Sequence, residues 1–232
     1  MIFFGKTEAV AVDGPAGSGK STVARLAADK LGFVYIDTGA MYRALTLKVM
    51  SGDVALEDID RITALSEDMD FRFVPSPAAS GPVKVMLDGE DVTDDIRKME
   101  VTVKVKHVCA IPRVRGNLVE LQRKMAREGS GTVMEGRDIG TVVLPDARYK
   151  FYLDASFDER VERRLSELRA KGTPVSREDI ADDLKQRDHT DKTREVGPLK
   201  KAEDAELVDT TDLNIEQVVD VIVDKVRSGD TG

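Results

Sequence analysis

The stretch Gly14-Pro15-Ala16-Gly17-Ser18-Gly19-Lys20-Ser21 fits G-x-x-x-x-G-K-[ST] in full and runs on into Thr22. Glycines let a backbone wrap closely round a polyphosphate, so that successive N–H groups point at its oxygens. A lysine closing the run sets a compact cation against the β and γ oxygens. The segment follows an apolar β-type run, Ala9 to Val12, and precedes a helical pattern, which adds the field of a helix N-terminus. Average composition produces this pattern by accident in roughly one chain in a hundred of this size. Residues 14–22 are therefore the expected nucleoside triphosphate site.

A phosphate loop does not name a reaction. A GTPase would need a guanine-reading Asn-Lys-x-Asp segment, yet the only asparagines, Asn117 and Asn214, do not precede lysine. A motor or transporter ATPase is usually longer or carries partner-binding modules. Many arginines on a short chain fit phosphoryl transfer to a small acceptor, where catalysis comes from positioning and from neutralising charge. Arg43 lies one turn inside a helix opened by Asp37-Thr38, and Arg113 and Arg115 flank Val114. Arg137 and Asp138 directly follow a strand pattern, at the carboxyl edge where open α/β sheets bind ligands. Arg187, Asp191 and Arg194 are spaced by four and three, so they share a face if their helix continues that far.

Strands must alternate with helices to hold these groups. Val23, Leu26, Ala27 and Leu31 mark a helix face closed by Gly32; Phe33 to Ile36 reads as a strand, and Asp37-Thr38 caps a helix to about Met50. This opening predicts a three-layer α/β/α fold on a central parallel sheet. Asp70–Val74 and Val83–Asp88, with the turn 88–91, predict a small antiparallel piece around the loop 75–82, inside an insertion at about 53–97. From 98 to 128, apolar residues every three or four positions predict one long helix, although Val101 to Lys106 also alternates like a strand. Thr132–Met134, Tyr149–Leu153 and Leu207–Thr210 are further strand candidates. Ser156 to Glu159 opens a helix to about Ala170, Ser176 to Asp179 opens another to about Asp188, and Ile215–Val226 closes the fold before a frayed end at 228–232. The charged segment 157–195 reads as a solvated helical pair or a mobile cover.

Composition narrows the rest. The 232 residues carry 41% hydrophobic and 34% charged side chains and a formal charge of −8, a globular profile without the basic footprint of a nucleic-acid or anionic-membrane binder. One cysteine and two histidines leave no disulfide and no sulfur- and imidazole-rich zinc site. No apolar run reaches the ~18 residues of a spanning helix, and the N-terminal stretch, broken by Lys6 and Glu8, does not read as a secretory signal. A cytoplasmic protein is expected.

The motifs also resemble a known family. Asp13-Gly-Pro-Ala-Gly-Ser-Gly-Lys20, Asp37-Thr-Gly-Ala-Met-Tyr-Arg43, Ile111-Pro-Arg-Val-Arg115, Glu135 to Val143 and Arg187-Asp-x-x-Asp-x-x-Arg194 look like the successive motifs of bacterial cytidylate kinase, from about residue 8 to 225. The resemblance implies a P-loop kinase with a core at about 1–52, 98–156 and 196–232, a nucleoside monophosphate-binding insertion and a lid at about 157–195. It implies transfer from ATP, with Mg²⁺, to CMP or dCMP by a monomer. Lys20, Arg137 and the lid residues Arg163 and Arg164 would be catalytic. Arg43 and Arg137 would clamp the acceptor phosphate, Arg115 and Asp138 would address the base, Thr38, Arg187 and Asp191 would hold the sugar, and Arg194 would lie near the phosphates. Ser21 is the candidate metal ligand, though some relatives carry glycine there. Where the family often has a base-reading serine this chain has Lys106, and that role is not carried over.

Plainer roles compete at several positions. Asp13 and Glu135 could simply end strands, Arg163 with Glu159 is an i,i+4 surface pair, and Arg113 reads as surface. Cys109, Met41 and Met125 read as core, and His107 and His189 lack partners for catalysis. Two other functions fit the same motifs: a kinase of another small acceptor, and an ATP-gated binding protein that transfers nothing.

Overall fold

The computed structural model describes residues 8–74, 83–128, 131–170, 172 and 174–229. Residues 1–7, the segment 75–82 expected as a loop, and 230–232 of the end expected to fray lie outside the described residues, while Ser228 still belongs to the last helix. The chain divides into two compact units, Met1–Tyr35 with Gly129–Gly232, and Ile36–Glu128.

The first unit is built on a five-stranded sheet in the order β2-β6-β1-β7-β8, from β1 (Glu8–Asp13), β2 (Val34–Asp37), β6 (Gly131–Gly136), β7 (Tyr149–Asp154) and β8 (Glu206–Asp209). β1 runs parallel to both β6 and β7, and β7 parallel to β8, so these strands end at one edge. Val10, Val12, Val133, Phe151 and Leu153 pack against α1 (Lys20–Leu31) and α8 (Ile215–Ser228) in one apolar cluster. Each such side chain contributes about 1.5–3 kcal/mol by leaving water. Gly32 ends α1 in the left-handed region, and Asn214 and Gln217 form a reciprocal capping box at the start of α8. The fold is the expected three-layer α/β/α arrangement around a central parallel sheet.

The charged stretch after β7 is not a bare solvated pair. α6 (Phe157–Ala170) and α7 (Arg177–Thr193) bury Val161, Leu165, Ile180 and Leu184 with one another. α7 opens with the Ser176–Asp179 capping box and runs five residues beyond the expected Asp188, ending where Arg194 turns extended. After β6 the chain makes one π-helical turn, Ile139–Val143, with Leu144 N–H donating to the Ile139 carbonyl at 2.7 Å. Hydrophobic periodicity carries no signal for such a turn.

The second unit holds α2 (Thr38–Ser51), α3 (Ile59–Glu67), an antiparallel sheet of β3 (Phe71–Val74), β4 (Lys84–Leu87) and β5 (Glu90–Asp91), then α4 (Met99–Cys109) and α5 (Pro112–Glu128). The antiparallel piece stands where the turn residues put it. The single helix expected over 98–128 is two. Pro112 has no N–H to donate into the preceding turn and disfavours helical geometry at Ile111, but it suits the first position of a new helix. The ambiguous Val101–Lys106 segment is helical, and Cys109 is half-buried rather than core.

Candidate active site

The phosphate loop joins β1 to α1 and is shaped by what a side chain would hit. At Gly14, φ is +150° and an added Cβ would lie 2.0 Å from the Leu153 carbonyl oxygen on the neighbouring strand. Gly19, at φ +88°, is the N-cap of α1 and brings no side chain to it, and the first turn has no acidic residue. The N–H groups of that turn are thus not claimed by a side-chain cap, as an anion site requires. Ser18 Oγ is buried within the loop with no hydrogen-bond partner among the described residues, 3.2 Å from where a Cβ on Gly14 would stand. Lys20 is buried and donates to the Pro15 carbonyl at 2.7 Å, which curls it back over the loop. Burial, then the Arg137 guanidinium, pull the Lys20 ammonium down to about 7. Ser21 and Thr22 are exposed at the same helix end.

At the carboxyl edge of the sheet, beside the loop, charged groups interlock. Arg137 Nε donates to Asp191 Oδ2 at 2.7 Å. Arg194 approaches Asp191 at 3.8 Å and the buried Asp138 at 3.6 Å. Burial pushes the Asp191 carboxyl up, but Arg137, Arg194 and Lys20 outweigh it and hold the group below the usual carboxylate range. Asp13 accepts from the N–H groups of Ile139 and Gly140, both at 2.8 Å, so both its oxygens cap the π turn that follows Asp138. Burial pushes Asp13 up to about 6 against those two bonds. Glu135 is buried and accepts from Tyr35 Oη at 2.6 Å.

Lys20, Arg137, Asp138, Asp191 and Arg194 are thereby brought together. Arg187 instead pairs one turn back with Asp183 at 3.0 Å, and Asp191 takes Arg137 as its partner. On α6, Arg163 bonds Glu159 and both the hydroxyl and carbonyl of Thr210, with Nη1 about 3.8 Å from where a Gly19 Cβ would stand. Arg164 pairs with Glu167 at 2.6 Å. Sequence reasoning missed Arg160, Asp188 and Thr210. Asp188 lay inside a quoted motif, whereas nothing in the spacing of a charged helix says which arginine turns inward.

In the second unit, Asp37 Oδ1 accepts from Ala40 N–H at 3.0 Å and fixes the start of α2, where Thr38 is buried. Arg43 folds back along that turn, its Nη1 3.2 Å from the place a Cβ on Gly39 would take. Arg115 is buried, with its guanidinium 5.4 Å from the centre of the Tyr42 ring. Arg113 reaches Asp60 at 3.3 Å on the surface, as its position suggested.

Among the described residues, no group of three or more His, Cys, Asp or Glu could hold a metal ion. Nor is any helix among them long and apolar enough to cross a membrane.

Comparison with known proteins bears on the reaction. The family model described as cytidylate kinase matches residues 10–228. A cytidylate kinase of Caldanaerobacter subterraneus subsp. tengcongensis is 50% identical, covering 97% of each chain. One of Pelotomaculum thermopropionicum is 50% identical over 95% of this chain and 96% of its own, and one of Streptococcus pneumoniae 48% identical over 94% and 96%. Among solved structures, an uncharacterized protein from Eubacterium ventriosum shares the fold, with a TM-score of 0.51 at 12% identity over 96% of this chain and 99% of that one.

Proposed function

This chain belongs to the cytidylate kinase family, and on that premise we propose how its residues share the work of moving the γ-phosphate of ATP to CMP or dCMP. It is an enzyme, a nucleoside monophosphate kinase. Gly14, Pro15, Ala16, Gly17, Ser18, Gly19, Lys20, Ser21 and Thr22 cradle the triphosphate of ATP. Lys20 neutralises charge on the transferring group, helped by Arg137 and by Arg163 and Arg164 from the lid, residues 157–195. Arg43 and Arg137 fork onto the phosphate of the acceptor, whose oxygen is already ionised near neutral pH and so needs no general base. Thr38, Arg187 and Asp191 hold the sugar, with Arg194 near the phosphates. The core is 1–52, 98–156 and 196–232, with the insertion 53–97 on the acceptor side. The enzyme acts as a cytoplasmic monomer on small molecules and not on nucleic acid.

Mg²⁺, when bound with ATP, supplies further neutralisation of the phosphates. The donor set suits an ion held mainly by phosphate oxygens and water with the Ser21 hydroxyl, since both oxygens of Asp13 are already engaged by backbone N–H groups.

The observation that carries this reading is a second site of clustered arginines, Arg137 and Arg194 held by Asp191 and Asp138, at the sheet edge beside the phosphate loop. An ATP-gated switch has no need of it. Acceptor-dependent ADP release from ATP with CMP, dCMP, UMP, AMP and shikimate tests the reading. Release with CMP or dCMP is expected, and its absence, with another acceptor active, overturns it.

Arg115 and Asp138 read cytosine, whose N4 amino group donates to a carboxylate while N3 and O2 accept from a guanidinium. Uracil puts a carbonyl against Asp138 and leaves buried polar groups unpaired at ~1–3 kcal/mol each. Asp138→Ala will therefore narrow the preference for CMP over UMP by roughly 10-fold in kcat/KM. An unchanged ratio removes Asp138 from base reading.

Lys20 titrates near 7 in the free enzyme, and a polyphosphate beside it will hold it charged. ATP binding will then take up a proton through Lys20, close to one at pH 8 and little at pH 6, because the free lysine is already charged there. Calorimetric titration without metal at pH 8, in buffers of different ionisation enthalpy, reads the uptake directly. The terminal phosphate of ATP is already ionised at that pH. No buffer dependence would show that Lys20 keeps its ordinary value.

A further inference from the structure

In the run Arg187-Asp188-x-x-Asp191-x-x-Arg194, Asp188 has so far been given no part in the reaction. Its carboxylate on α7 takes a bidentate fork from Arg160 on α6, Nη1 to Oδ1 at 3.1 Å and Nη2 to Oδ2 at 2.7 Å. The pair is nearly shut off from water, with side-chain exposures of 7% and 14%. The same Arg160 Nη1 donates to the carbonyl of Ala16, inside the phosphate loop, at 3.1 Å. The contact continues along the backbone, since a Cβ on Gly17 would stand 3.1 Å from both Cβ and the carbonyl oxygen of Arg160. Ala16 itself belongs to the small apolar core that joins α6 to α7.

One guanidinium thus bonds the phosphate loop, α6 and α7 together. Asp191, the partner of Arg137, lies three residues along α7 from Asp188, less than one helical turn. A shift of the loop away from α6 would cost Arg160 Nη1 its bond to the Ala16 carbonyl while the fork to Asp188 holds, leaving a buried N–H of a charged group without its acceptor.

We infer that Arg160 and Asp188 are positioning residues that couple the state of the phosphate loop to the placement of Asp191 and Arg194 on the acceptor side. They touch neither nucleotide. Binding at the loop and binding of the acceptor then favour each other, and the effect is reciprocal. The inference rests on the kinase reading above and adds to it a route between the two substrates.

The test is calorimetric titration of CMP, with and without a saturating non-hydrolysable ATP analogue. In the unaltered enzyme the analogue is expected to tighten CMP about 10-fold. In Asp188→Asn the tightening is expected to fall below about 2-fold, while CMP affinity without analogue stays within about 3-fold. Arg160→Lys keeps the charge but loses the fork, and should fall between the two. If Asp188→Asn does not fold, Arg160→Met with Asp188→Leu removes both charges together and keeps an apolar filling, and it should likewise lose the coupling. A merely structural pair would lower thermal stability and leave the analogue's effect intact, and that result overturns the inference. So does an unaltered enzyme whose CMP affinity ignores the analogue. An unaltered enzyme that binds no CMP at all would instead strike the cytidylate reading and take this inference with it.

Discussion

Lys20→Ala will lower kcat by roughly 10³-fold, the scale lost when one preorganised donor to a developing oxyanion is removed. The reason lies in the free enzyme. Lys20 is buried, curled onto the Pro15 carbonyl, and pulled down to about 7 by burial and by Arg137. Holding a cation there is unfavourable until polyphosphate arrives, so its favourable interaction is kept for bound substrate and transition state. Removing it relieves a buried charge, and thermal stability should stay level or rise. Steady-state kinetics beside a melting curve separates the two effects. Turnover within about tenfold of the unaltered enzyme would take Lys20 out of the catalytic machinery.

Gly14→Ala should act through the fold instead. The new Cβ, fixed in place by the loop backbone, would meet the Leu153 carbonyl oxygen, backbone of a buried strand, at 2.0 Å. Neither can swing aside as a side-chain end could. Overpacking costs about 1–3 kcal/mol, and the positive φ adds roughly 1–2 kcal/mol more. At about 2–4 °C per kcal/mol for a chain of this size, melting should fall by roughly 5–15 °C. If the loop yields instead, the N–H groups lose their aim and ATP binding weakens by about 100-fold or more. A variant with normal melting and normal ATP affinity would show that the close approach to Leu153 shapes nothing.

Much of this enzyme could be read from residues in line. The phosphate loop is contiguous, and its chemistry depends on glycines and a lysine at fixed offsets within one strand-to-helix turn. Gly32, Asp37 and the Ser176–Asp179 opening likewise act within four residues of themselves, so type and spacing were enough; the Asn214–Gln217 box is as local and went unread. The break at Pro112 was missed. The long apolar period hid it, although the missing N–H that starts a new helix is a property of that residue alone.

Partners across the fold are another matter. Arg187 and Asp191 sit four apart on one helix, yet Arg187 takes Asp183 and Asp191 takes Arg137, 54 residues away. Asp13 ends its strand as its position suggested, and it also holds the π turn 126 and 127 residues on. Arg160, one of several arginines on a charged helix, is the one folded inward under the loop. Local spacing lists which charges could pair. Which ones do is decided by burial, because an ion is left in the interior only where a counter-charge and hydrogen bonds meet it, and those arrive from strands and helices that the linear order keeps apart.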